Sequence, residues 1–172
     1  MNSPSLRPLG ACPKQGLKPK SSKRVKQRNM INDISSTKRE KTLWKWFSYY
    51  IRLRDAPEDS HGFQKCFTCD NVQHFKEMDA GHYVRQKNHK STVYEEKNVH
   101  AQCKNCNMIL NGNEAVHAKR IDERYGEGAA ISLEEQGRVL FKKRPLYLVE
   151  SMLAEYKQKA KDEAYRVGVE IK

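Results

Sequence analysis

This sequence contains no apolar run of roughly 18 residues, the length that a membrane-spanning helix needs. It also lacks, near Met1, the apolar stretch that a secretory signal peptide contains. Apolar residues make up 37% of the 172 positions, which allows a core but only a small one. We therefore expect a domain with no membrane contact, whose small core is reinforced by a structural metal.

Acidic residues are absent before Asp33, which leaves the N-terminal segment strongly basic. Residues 1–40 contain ten Lys or Arg but only Asp33 and Glu40 as acidic residues, a net charge of +8 out of the total of +12. Residues 1–36 are also rich in Pro and Ser and show no hydrophobic periodicity, which predicts a disordered basic arm. Such an arm favours a polyanionic partner, with a tail that only increases solubility as the alternative.

Cysteine is scarce outside two short motifs. Four of the five cysteines form two Cys-x-x-Cys pairs, Cys66 with Cys69 and Cys103 with Cys106, and only Cys12 is left over. Two such pairs predict a tetrahedral zinc site with four thiolate ligands and no open coordination position. We therefore expect one structural Zn²⁺ per chain in a reducing compartment, and an extracellular disulfide framework is disfavoured.

Hydrophobic periodicity predicts helices on both sides of the cysteine motifs. Thr37 and Glu40 resemble a capping box, which predicts a helix over residues 37–54 within a single domain of residues 37–172. A second long helix is expected over residues 144–165. Its apolar face could pack on the chain's own core or form a dimer interface; this face consists of Val149, Leu153, Tyr156 and Ala160.

The segment between these helices, residues 63–125, should form the zinc-framed core. Residues 63–84 read as a hairpin that ends in a short strand, and an extended piece begins at Asn98. A helix is expected from about Gly112 to Tyr125, where Gly126 and Gly128 are stop signals. The fold class is therefore α+β.

Polar residues inside this frame have the chemistry of a hydrolytic site. Asp79 offers carboxylate oxygens of the kind that Mg²⁺ prefers, and it should share a strand face with Gly81. A neutral His82 could take a proton from water. Asn98 and Asn107 could complete a metal site or tie loops together. A purely structural role for His82, and simple turn chemistry for the asparagines, remain the alternatives.

The order of these motifs resembles the His-Asn-His, or ββα-metal, endonucleases, and within them the phage NinG/Rap recombination nucleases. The resemblance is carried by four segments, Ile51-Arg52-Leu53-Arg54-Asp55, Asp79-Ala80-Gly81-His82-Tyr83, Asn98-Val99-His100-x-Gln102-Cys103-x-x-Cys106-Asn107 and Gly112-Asn113, together with the first cysteine pair. It implies a zinc-stapled ββα-metal core flanked by N-terminal and C-terminal helices.

The resemblance also implies roles for individual residues. His82 would be the general base, Asn98 would hold the catalytic loop, and Asn107 would bind a catalytic Mg²⁺ or Mn²⁺ together with Asp79. Many relatives carry the metal-binding Asp directly before the histidine, where this chain has Gly81. Beside these residues, His100 is expected in a supporting position, with a phosphate contact as the alternative, and His117 and Asn113 are candidates for a supporting or a metal-binding position.

The expected function is that of a divalent-metal-dependent DNA endonuclease. The resemblance implies branched recombination intermediates, such as Holliday junctions and D-loops, as substrate, and the cytoplasm of a bacterial host as the location of a phage or prophage product. Resolving a junction takes two cuts, so a homodimer on DNA is expected. Four basic residues should contact DNA phosphates, namely Arg85, Lys87, Lys90 and Lys104. A zinc-ribbon DNA-binding accessory protein without catalysis and a nuclease for ordinary duplex DNA remain alternatives.

Overall fold

The computed structural model describes residues 22–87 and 89–172, with side chains from residue 37 onward. The chain divides into two units, residues 1–34 and 35–172. The helices are α1 (Ser22–Leu53), α2 (Glu114–Tyr125), α3 (Ala129–Arg138) and α4 (Leu146–Arg166). The strands are β1 (Phe63–Lys65), β2 (Val72–His74), β3 (Met78–His82) and β4 (Val99–Cys103). Within the described ranges, no helix combines the length and the apolar character that crossing a membrane requires.

Helix α1 begins at Ser22 instead of at Thr37, so the expected capping box does not mark its start. The segment of residues 22–36 contains no Pro or Gly, and six of its 15 residues are Lys, Arg, Gln or Met, which are good helix formers. Composition had suggested disorder for this segment, but backbone propensity allows the helix to extend through it. The rest of the predicted basic arm, residues 1–21, lies outside the described residues.

Helices α1 and α4 share the main apolar core. Leu43, Phe47 and Ile51 of α1 are fully buried in one cluster with Val149 and Tyr156 of α4. The rings of Phe47 and Tyr156 meet edge to face, with centroids 4.8 Å apart.

The apolar face of α4 therefore packs on the chain's own core, and the dimer interface proposed for that face is wrong. Ala160 is also fully buried, and Leu153 packs against the same cluster. Apolar periodicity identifies a face that must be covered, but it does not say by what.

Two small antiparallel sheets are formed by the part of the sequence between α1 and α2. Strands β1 and β2 pair as a hairpin whose connection carries the first cysteine pair. Strands β3 and β4 pair with Met78 opposite Cys103 and with His82 opposite Val99. A π-helical turn, Asn105–Ile109, and then α2 follow β4. The predicted α+β class is thus correct, with two short strands followed by a helix at its centre.

Helix α3 was not anticipated, because the two glycines before it read as the end of a helix and not as the start of another. Gly126 and Gly128 both have positive φ values, and the turn they form leads directly into α3. Gly137 lies so close to the β3–β4 connection that a Cβ there would stand 2.7 Å from Val84 Cγ1. The carbonyl of Gly137 also bonds the His89 ring at 2.9 Å, so α3 holds one side of that connection in place.

Candidate metal centre and adjacent cleft

The two cysteine pairs come together at the end of the β3–β4 hairpin. The sulfur atoms of Cys66, Cys69, Cys103 and Cys106 all lie within 4.8 Å of one another, and Cys69 Sγ is 3.8 Å from Cys103 Sγ. Tetrahedral zinc with Zn–S bonds of about 2.3 Å separates its sulfurs by about 3.8 Å. The four residues can therefore bind one zinc ion with little movement.

Hydrogen bonds prepare Cys66 for the thiolate form that a metal ligand requires. Burial raises the pKa of the Cys66 thiol, but a hydrogen bond from the Thr68 hydroxyl and backbone N–H groups outweigh burial and lower it to about 7. The Cys103 N–H donates to Cys66 Sγ at 3.3 Å. Such N–H···S contacts stabilise negative charge on sulfur, as expected for a cysteine knuckle that binds a cation.

Gln102 connects this centre to the rest of the site. Its side-chain Nε2 donates to Thr68 Oγ1 at 3.1 Å and to the carbonyl of Gly112 at 2.9 Å. The side chain is fully buried, and its Oε1 has no hydrogen-bond partner within the described part of the chain. Sequence reasoning missed this role, because nothing local distinguishes a glutamine that bridges two loops.

The Gln102 amide also fills the space beside Gly81. An ideal Cβ at Gly81 would stand 2.8 Å from Gln102 Cδ and 3.0 Å from Asn107 Oδ1. The space beside Gly81, which was expected to share a strand face with Asp79, is therefore occupied. Position 81 is glycine because any side chain there would collide with a buried amide.

Asp79 and Asn107, the two residues expected to bind a catalytic cation, are in direct contact. Asn107 Nδ2 donates to Asp79 Oδ2 at 2.9 Å, and both side chains are half-buried. Arg52, whose guanidinium donates to the carbonyl of Phe75 at 2.9 Å, interacts electrostatically with Asp79. The Asp79 carboxylate is thus close to one cationic group and one amide.

His82 is held by packing and by one backbone contact. Its ring stacks on Trp44 of α1 with centroids 5.2 Å apart, and its Nε2 lies 3.0 Å from the carbonyl of Val93. A carbonyl only accepts, so Nε2 carries the proton and the unprotonated nitrogen of the neutral ring is Nδ1. Burial lowers the pKa of His82 below 6.5, and the contact with Val93 opposes this only in part.

Asn98 fastens the connection between β3 and β4. Its side-chain Oδ1 accepts from the Val84 N–H at 2.7 Å, while its Nδ2 donates to the carbonyls of Val84 and Thr92 at 3.0 Å. The residue is fully buried. The amide therefore satisfies three backbone groups of an irregular segment, and this segment includes Val93, the partner of His82.

Arg54 supports the end of this connection, a role that the sequence analysis did not predict. Its guanidinium donates to the carbonyls of Glu96 and Val99, at 2.9 Å each, and these residues flank Asn98 closely. Only 7% of the Arg54 side chain is exposed. A buried charge directed at two carbonyls fixes the course of the backbone through Asn98.

A cleft of about 240 Å³ opens beside His82, and polar and basic groups line it. Asn107, Asn111 and Gly112 form one side, and Ala80, Arg85, Gln86 and Lys87 complete the wall. Arg85 donates to the Asn111 carbonyl at 2.8 Å and pairs with Glu114 at 2.6 Å.

The other two predicted phosphate contacts lie outside this wall. Lys90 lines a neighbouring cleft that shares Gln86 with the first, and Lys104 is exposed just before the π-helical turn. Of the four predicted basic residues, Arg85 and Lys87 are therefore placed in the same cleft as His82.

His100 and His117 form a buried pair of rings. His100 Nδ1 lies 3.1 Å from His117 Nε2, and His100 Nε2 lies 3.2 Å from Tyr125 Oη. Phe67 stacks on the His100 ring at 3.7 Å. Burial lowers the pKa of His117 to about 4 and that of His100 further still, which favours the neutral form of both rings.

Comparison with known proteins places the chain in a phage family. The family described as "Bacteriophage Lambda NinG protein" matches residues 13–165. The protein named "Protein ninG" of Salmonella phage P22 is 31% identical over 114 residues, a match that covers 64% of this chain and 49% of that protein. The chain thus spans about half the length of this curated relative. No solved structure matches the chain. Because the family match covers most of the sequence, this chain belongs to the NinG family.

Proposed function

We propose that this protein is a divalent-metal-dependent DNA endonuclease whose active site is the cleft beside His82. The observation that carries the proposal is the placement of a fixed, neutral imidazole in a cleft lined by Asn107 and by the cations Arg85 and Lys87. A base, a polar donor set and positive charge are the elements that hydrolysis of a phosphodiester needs.

In the proposed reaction, water attacks the phosphorus in line and gives its proton to Nδ1 of His82, while the bond from phosphorus to the 3′ oxygen breaks and that oxygen takes a proton from solvent. The Val93 carbonyl keeps the other ring nitrogen protonated, so the imidazole presents a lone pair and not a second N–H. Because burial disfavours the charged ring, the base is free to accept a proton at neutral pH. Arg85 and Lys87 neutralise the DNA backbone at the same place.

Asp79 and Asn107 fit a hard divalent cation by their chemistry, since both carry oxygen donors and they are in contact. In the present arrangement the amide nitrogen faces the carboxylate, and rotating the Asn107 amide would present its oxygen instead. A Mg²⁺ or Mn²⁺ ion held there would supply charge neutralisation at the scissile phosphate and at the departing 3′ oxygen. The four cysteines would hold Zn²⁺ in a closed site, which positions Asn107 and takes no part in hydrolysis.

Branched DNA is the proposed substrate, and two chains would act on one junction. The resemblance to recombination nucleases motivates the substrate, and the need for two cuts motivates the dimer. The apolar face of α4 is buried in the core, so a dimer would have to use another surface.

A nicking assay on the purified, zinc-loaded protein tests the proposal. We expect Mg²⁺-dependent cleavage of a four-way junction in preference to a linear duplex. His82→Ala should reduce the rate by roughly 10²- to 10⁴-fold, the usual contribution of a general base. The matched control His61→Ala removes an exposed histidine and should cleave like the parent. Zinc-loaded protein that binds DNA but never cleaves it would instead indicate an accessory DNA-binding protein. Equal cleavage rates on the junction and the duplex would exclude a preference for branched DNA.

A further inference from the structure

Three consecutive large apolar side chains are exposed beside the cleft. Met108, Ile109 and Leu110 are 69%, 76% and 50% exposed. Single exposed apolar residues are common on protein surfaces, but an uninterrupted group of three marks a binding surface more often than chance. We call these three residues the apolar tip.

The apolar tip is mounted rigidly. It lies on and just after the π-helical turn, where the Leu110 N–H donates to the Asn105 carbonyl at 2.9 Å. The Gly112 N–H then donates to the Cys106 carbonyl, also at 2.9 Å. Cys106 is one of the four clustered cysteines, so the tip is anchored to the proposed zinc centre and not carried on a loose loop.

The tip is also continuous with the cleft. Asn107 precedes it and Asn111 follows it, and both line the cleft beside His82. Lys104 is exposed just before the turn, and Lys87 is exposed in the cleft wall. Apolar groups next to cations match DNA, in which the base stack is apolar and the backbone is anionic.

We propose that the apolar tip is a wedge that enters the base stack beside the phosphate held in the cleft, with Ile109 leading because it is the most exposed. This inference rests on the proposed function and adds the form of DNA that the site selects. Opening an intact base step is costly, whereas the stack is already interrupted at a branch point. The wedge therefore makes branched DNA the better substrate and supplies a physical reason for junction preference.

The test uses full-length protein carrying His82→Ala, so that DNA is bound but not cut, and a four-way junction with 2-aminopurine at the branch point. Binding should raise the 2-aminopurine fluorescence, because the base is unstacked. Adding Ile109→Asn should abolish this rise and weaken junction binding by about 10-fold, towards the affinity for linear duplex. The matched control Ile131→Asn changes an isoleucine of α3 that is 63% exposed, and it should preserve both signals.

Each remaining outcome has a defined meaning. If no variant binds DNA, both the wedge and the proposed function are wrong. If the protein binds DNA but Ile109→Asn and the milder Ile109→Ala both keep the fluorescence rise and the junction affinity, the wedge alone is wrong. If Ile109→Asn converts a DNA-free dimer into a monomer, the tip is a protein interface, and the wedge is again excluded. Zinc content and circular dichroism show whether each variant is folded.

Discussion

Replacing Gly81 by alanine tests whether the space next to the proposed cation site is filled by Gln102. The new Cβ would stand 2.8 Å from Gln102 Cδ and 3.0 Å from Asn107 Oδ1, so the buried amide has to move. Moving it breaks the hydrogen bonds from Nε2 to Thr68 and to the Gly112 carbonyl. Two lost bonds at roughly 1 kcal/mol each, with overpacking of about 1–3 kcal/mol, predict a destabilisation of about 3–5 kcal/mol.

A double-mutant cycle measures this contact directly. Urea unfolding of the zinc-loaded protein should show that Gly81→Ala and Gln102→Ala are each destabilising, while the double variant loses less stability than the sum. We expect the difference to be at least about 1 kcal/mol, because removing the amide removes the collision. Strictly additive costs, or a Gly81→Ala protein within about 0.5 kcal/mol of the parent, would refute the proposed packing.

Four further predictions rest on the same geometry. Removing zinc with a strong chelator should unfold the cysteine region and abolish any cleavage, and elemental analysis that finds no zinc in active protein would contradict this. Arg54→Ala should cost about 3 kcal/mol in urea unfolding by leaving two carbonyls without their charged partner, whereas the exposed Arg39→Ala should change stability by less than about 1 kcal/mol. In pH titrations of the zinc-bound protein, the unfolding free energy should fall as the pH drops from about 6.5 towards 4. The reason is that His100 and His117 accept protons in the unfolded chain but not when they are buried. An unfolding free energy that does not change over this range would show that the two rings are not buried in the neutral form. The cleavage rate should fall on the acid side of its pH profile with a midpoint below 6.5, the usual pKa of a histidine, because burial lowers the pKa of His82. A midpoint above 6.5 would show that burial does not lower this pKa.

The features that the sequence predicted correctly depend on local spacing. A pair of cysteines with two residues between them can place both thiols on one ion whatever the rest of the chain does, so the spacing alone predicted the four-cysteine cluster. The helices α2 and α4 were found within about two residues of their ends, because glycine signals and apolar periodicity are also local.

The features that were missed depend on packing between distant segments. Gln102 and Arg54 each bridge parts of the chain that are far apart in sequence. Both lie in segments that carry the family resemblance, but the resemblance assigned this bridging role to neither of them. Apolar periodicity in α4 was recognised, but its partner, α1, lies about a hundred residues away. The N-terminal extension of α1 was missed for a different reason. It is a local feature, but its composition is compatible both with disorder and with a helix.

The connection between β3 and β4 explains why these long-range contacts matter for the proposed chemistry. The described residues between 83 and 98 contain only short helical turns, and fixing such a segment costs about 1–2 kcal/mol of backbone entropy per residue. Asn98 secures it from within, α3 holds it at Gly137, and Arg54 holds the turn at its end. Because Val93 belongs to this segment and fixes the His82 tautomer, each support acts on the proposed base without touching the DNA. Weakening any one of them should therefore lower the cleavage rate with little effect on DNA affinity, whereas substitutions in the apolar tip should do the reverse.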